Sequence, residues 1–136
     1  MIFRVGGQQR MTLDATGLTV NGTFVSASDR NVKEDFATVN AQEVLAKLVA
    51  SPMQSWSYTN RSGVKRVGPM AQDFRAAFSL GEDDKHIATV DADGVALAAI
   101  QGLNLKLEEK ETRIQTMEKE LAALKEIVTK LSNQRE

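Results

Sequence analysis

Ser28 and Lys33, five positions apart in the stretch SASDRNVKED, are the pair in this chain whose residue types suit covalent chemistry. A serine hydroxyl is a weak nucleophile at neutral pH, and a lysine amine that desolvation keeps neutral can take its proton. If Asp29 to Lys33 make a single turn, the lysine amine can reach back to the hydroxyl. The same letters also read as a plain N-cap, Ser28-Asp29 followed by Glu34, and spacing alone favours that reading. Other machinery is sparse. His86 is the one histidine and there is no cysteine, so no zinc set can be completed. GEDDKH reads as an exposed acidic loop without the alternating ligands and closing glutamate of a calcium loop, and DADG reads as a turn. No metal or cofactor is expected. With no glycine-rich phosphate loop either, an enzyme acting in trans is the least favoured class.

Whatever positions Ser28 and Lys33 must be small. A chain of 136 residues makes one modest domain, or one domain with an appendage. Seventeen basic and eighteen acidic residues leave a net charge of -1, which argues against a nucleic-acid or anionic-membrane partner. No apolar run approaches the roughly 18 to 20 residues that span a bilayer, and the start MIFRVGGQQR lacks the apolar stretch of a signal peptide.

Three segments follow one another. In residues 2 to 25 apolar residues alternate in short bursts (Met11 and Leu13, Leu18 and Val20, then Phe24), broken by Gly6-Gly7, Ala15-Thr16-Gly17 and Asn21-Gly22. That pattern predicts three or four short strands. Alone they cannot bury a face, so they should pair with upstream β-structure or with other copies. From Ser28 to Gly94 the pattern is mixed, with helices predicted over Ala41 to Leu48 and Met70 to Phe78. A strand is predicted around MQSWSYTN, whose Trp56 and Tyr58 would share one face as packing residues.

From Val95 onward the spacing is heptad. With Ile100 at a, the a positions are Ile100, Leu107, Ile114, Leu121 and Val128, and the d positions are Leu103, Lys110, Met117, Leu124 and Leu131. Nine of these ten are apolar, and such a seam demands partner helices. The alternative is one amphipathic helix folded onto the middle segment. In a parallel, in-register bundle Lys106 meets Glu111, Arg113 meets Glu118 and Glu120 meets Lys125, all complementary. At about 0 to 1 kcal/mol each, these pairs speak to orientation more than to stability. The helix is expected to run from Ala98 to Arg135. The mixture of residue types at a leaves the oligomer number open.

SASDRNVKEDF, VGPMAQDF, VDADGVALAAIQGLNLKL and the terminal heptads together resemble the C-terminal intramolecular chaperone and auto-processing domain of phage tailspikes and tail fibres. Relatives occur in endosialidase tailspikes, phage neck appendages and a eukaryotic membrane-anchored transcription factor. The resemblance covers roughly residues 26 to 131. Its signature falls on Ser28, Asp29 and Lys33, then on Gly68, Ala71 and Gln72, whose role would be structural, then on Asp93, Gly94 and Val95. It implies an α+β homotrimer: residues 1–27 as the end of a β-rich fibre shaft, 28–94 as chaperone core, 95–136 as a parallel coiled coil. It further implies that the domain registers three upstream fibre segments of its own chain and then frees itself by a serine-lysine cut. Assembly in the bacterial host cytoplasm and release from the virion fibre would follow. The family places the cut at Ser28-Asp29, whereas an acyl shift through the serine hydroxyl would break Ala27-Ser28. A non-cleaving trimeric fibre tip and a receptor-binding head are the competing readings.

Overall fold

The structure, a computed structural model, describes residues 1–134. The chain divides into two compact units, residues 1–37 and 38–136.

In the first unit β1 (Ile2–Val5), β2 (Gln8–Asp14) and β3 (Gly17–Val20) form an antiparallel sheet in chain order. Gly6 and Gly7, with φ of 57° and 77°, close the first hairpin, since two consecutive positive φ values suit glycine best. Asp14 Oδ1 builds the second, accepting from the Thr16 backbone N–H at 2.7 Å and from its hydroxyl at 2.6 Å. The register sets Phe3 opposite Met11, Met11 opposite Val20 and Leu13 opposite Leu18, so the predicted alternation does put the apolar residues on one face. Phe3, Leu13 and Leu18 on that face stay exposed. Asn21-Gly22 starts no further hairpin. Asn21 instead extends the β2–β3 pairing, its backbone N–H donating to Arg10 O at 2.8 Å and its side-chain amide to Gln9 O at 3.2 Å. Phe24, the last beat of the alternation, lies outside any strand.

The second unit contains α1 (Ala41–Ala50), the hairpin β4 (Gln54–Trp56) and β5 (Arg66–Gly68), α2 (Ala71–Phe78) and α3 (Thr89–Asn133). Asn40 caps α1 by accepting from the Glu43 N–H at 3.1 Å. Ala41, Val44, Leu45 and Leu48, at helical spacing, are the half-buried apolar residues of α1, the element most extensively packed on α3. On α3 the buried positions are Val95, Ala99 and Gly102. At Gly102 the two helices approach closely: a Cβ there would lie 2.7 Å from the Ala41 carbonyl carbon. Farther along, Gln42 Nε2 donates to Glu109 Oε1 at 2.9 Å. Phe74, buried and ring-to-ring with Phe78 at 5.0 Å, anchors α2.

Two expectations change here. DADG is not a turn: α3 begins at Thr89, so Asp91 to Gly94 are its early turns, where acidic side chains favour the positive helix end. Trp56 and Tyr58 do not share a strand face, because β4 stops at Trp56; their rings meet edge-on at 5.0 Å and 79°. The predicted end of the helix, Arg135, lies outside the described residues. At 45 residues α3 is about 67 Å long, and beyond Gly102 every described residue is exposed.

Phe74, Val95 and Ala99 are the only buried apolar residues among those described, whereas Ile100, Leu103, Leu107, Ile114, Met117, Leu121, Leu124, Val128 and Leu131 are at least half exposed. Among the described residues no helix is long and apolar enough to cross a membrane.

Local electrostatics make one test available. A hydrogen bond from Lys47 and its charge, 2.8 Å away, hold the Glu43 carboxyl below its ordinary value of 4.5. Because the folded value is the lower one, this pair supports folding above the ordinary value and ceases to as pH falls through the folded value. Glu43→Gln should therefore reduce the loss of melting temperature between about pH 7 and pH 3, measured by circular dichroism.

Candidate functional site: a serine and a lysine at one turn

Ser28 ends an irregular segment, and the next residue starts a tight turn. Asp29 Oδ1 accepts from the Asn31 backbone N–H at 2.9 Å and from its side-chain amide at 3.0 Å. One 3₁₀ turn, Arg30–Val32, follows, and the Lys33 N–H closes it onto Arg30 O at 3.2 Å. Lys33 then leaves the turn in an extended conformation, and its Nζ donates to Ser28 Oγ at 2.7 Å. The capping reading and the pairing reading thus hold together: Asp29 caps the turn, and the turn brings the amine to the hydroxyl.

An amine touching a hydroxyl can act as its general base once the amine has lost its proton and presents a lone pair. With the proton on nitrogen, the contact is only a charge-assisted hydrogen bond. Both residues are exposed in the single chain. Covering the pair would favour the neutral amine, since desolvation penalises charge.

The other signature residues lie in the second unit. Gly68 ends β5, and Ala71 and Gln72 open α2 after the extended Pro69-Met70. Gln72 is exposed and Ala71 half-buried. His86 sits in an exposed loop with its Nδ1 2.8 Å from Asp83 Oδ2. That contact, with N–H groups of Lys85 and His86, keeps the Asp83 carboxyl below its usual range. Among the described residues no group of three or more histidine, aspartate or glutamate side chains is placed to hold a metal ion. A groove of about 390 Å³ between α1 and the start of α3 is lined largely by apolar side chains, including Val44, Val95 and Phe78, with the Glu43–Lys47 ion pair, Asn40 and Asp91 among its polar residues.

Gly102 was not singled out from the sequence, although small residues three apart, Ala99 and Gly102, on a helix expected to meet another helix carry that signal.

The chain therefore joins an α+β body and a long helix with an exposed apolar stripe to a hydroxyl–amine pair in contact. Residues 28–80 match the model of a peptidase family described as chaperone of endosialidase. No curated protein matches the chain.

Proposed function

We propose that this domain assembles three copies of its chain, aligns the β-rich segment preceding it, and then severs itself at Ser28. The observation that carries the proposal is the 2.7 Å contact between Lys33 Nζ and Ser28 Oγ at the start of the matched segment. The exposed stripe from Ile100 to Leu131 and the apolar face of the β1–β3 sheet support the assembly half, since one chain leaves both in water. A fibre of interchain strands folds slowly and is prone to mispairing, so tethering three ends in register before release has a physical purpose. After scission the fibre cannot easily refold once unfolded, and its stability becomes kinetic.

Lys33 is the base and Ser28 the hydroxyl it deprotonates. Two routes balance. In the favoured cut at Ser28-Asp29, one water is consumed: the Ser28 carbonyl carbon becomes a carboxylate, and Asp29 nitrogen leaves as an amine. Attack by Ser28 Oγ on its own carbonyl would close a strained ring, so here the serine passes the base's pull to the water. In the other, Oγ attacks the Ala27 carbonyl carbon, Ser28 nitrogen leaves with a proton from Lys33, and water hydrolyses the resulting ester.

Mass spectrometry under denaturing conditions should find a fragment ending at Ser28, or one ending at Ala27 for the ester route. Native spectra should give three copies. Hydroxylamine added during processing should trap Ala27 as a hydroxamate only if the ester forms. A trimer of intact chains would remove the self-cleavage reading and leave the assembly reading standing.

A further inference from the structure

We propose that Lys110 is the register lock of the helix bundle, reaching the Glu111 carboxylate of a neighbouring copy; the inference rests on reading the apolar stripe as a self-association seam.

Lys110 is the one non-apolar residue among the ten a and d positions from Ile100 to Leu131. Its place in the fold is specific. The Gln42–Glu109 hydrogen bond lies one residue before it, and every described residue after it is exposed stem. An ammonium at that point interrupts the seam where the exposed stem leaves the folded body.

The charges around it are unsatisfied within one chain. Among the described residues Lys110 makes no hydrogen bond or ion pair, and neither do the side chains of Lys106, Arg113, Glu118, Glu120 and Lys125, which flank the stripe. On the outer face Glu126 pairs with Lys130 at 2.6 Å. Glu111 receives only a 3.3 Å hydrogen bond from Gln115 Nε2. Opposite charges left without partners along both sides of an apolar stripe are the pattern expected of a surface completed by another helix of matching charge. In a parallel bundle a d side chain packs beside the e residue of its neighbour, and the e residue next to Lys110 is Glu111.

Flanking charges alone hold the stagger poorly. Slipping one helix by a heptad in one direction sets Lys106 against Glu118 and Arg113 against Lys125, one attraction and one repulsion. The opposite slip sets Arg113 against Glu111 and Glu120 against Glu118, again one of each. Lys110 discriminates further: either slip carries its ammonium into the apolar layer of Leu103 or Met117, and the slip toward Leu103 offers Asn104 in place of a carboxylate. A single polar residue in a coiled-coil core specifies register at a cost in stability.

The chain has no cysteine, so cross-linking can read the stagger directly. Met117→Cys and Leu124→Cys chains, refolded together and oxidised, should join only 117 to 117 and 124 to 124. Adding Lys110→Leu should raise the melting temperature and produce 117-to-124 cross-links from slipped helices. Glu111→Gln should lower the melting temperature with Lys110 present and have little effect in the Lys110→Leu background. A trimer whose Lys110→Leu form cross-links only at matched positions overturns the lock and leaves the assembly reading intact. A chain that native mass spectrometry finds monomeric overturns both.

Discussion

Lys33→Ala, Ser28→Ala and Lys33→Arg should each leave the chain in one piece on a denaturing gel under conditions where the unsubstituted chain is cut. General-base catalysis contributes about 10²- to 10⁴-fold, so processing of the lysine variants should slow by at least the lower figure. The arginine variant is the decisive one. A guanidinium keeps the positive charge and can still donate to Ser28 Oγ, but it does not lose its proton in proteins and cannot serve as a base. If the 2.7 Å contact only steadies the turn, arginine should substitute acceptably and processing should continue. Circular dichroism and copy number should stay unchanged in all three variants, because Ser28 and Lys33 are exposed and contribute nothing to the buried residues. Processing of Lys33→Arg at the original rate would remove Lys33 from the chemistry.

The sequence made some of this legible because local rules decided it. Asn40 three residues before Glu43, and Ala41, Val44, Leu45 and Leu48 at helical spacing, announce α1 before any tertiary contact exists. Spacing alone favoured the cap and only allowed Ser28 and Lys33 to meet; both readings hold because Asp29 makes the single turn with its own side chain, and that turn sets their separation. What could not be read depended on the state of the neighbouring chain. Asn21-Gly22 has the letters of a hairpin, but a hairpin needs a following strand, and residues 23 to 29 pair with nothing in the sheet. Asp91 to Gly94 carry turn letters, yet they continue into strong helix formers, and the packing of Val95 and Ala99 outweighs one glycine. The division after Ala37 was equally invisible, since it follows from where contacts cluster and not from composition.

Gly102→Ala and Gly94→Ala, the same substitution on the same helix, should move stability in opposite directions. Alanine is the better helix former by about 1 kcal/mol, so propensity alone stabilises both. At Gly94 a Cβ meets nothing within 4 Å, and its melting temperature should rise. At Gly102 the methyl would run into the carbonyl of Ala41, with the Leu45 Cβ at 3.0 Å. That obstacle is backbone at the first residue of α1, next to the Asn40 cap, so no rotamer change relieves it. The helix must shift as a body, which strains the Gln42–Glu109 hydrogen bond and loosens Leu45 against α3. Overpacking of this kind costs about 1 to 3 kcal/mol, more than the propensity gain over most of that range. At about 2 to 8 °C per kcal/mol for a chain of this size, the two variants should separate by several degrees in melts run at equal chain concentration. A Gly102→Ala variant that melts with or above Gly94→Ala would mean that α1 does not seat on α3 at this glycine. The consequence reaches the seam, because Gly102 sits between Ile100 and Leu103 on the same turn of helix: α1 covers one side of α3 and leaves the other for a second copy, so displacing α1 should also lower the copy number seen in native spectra.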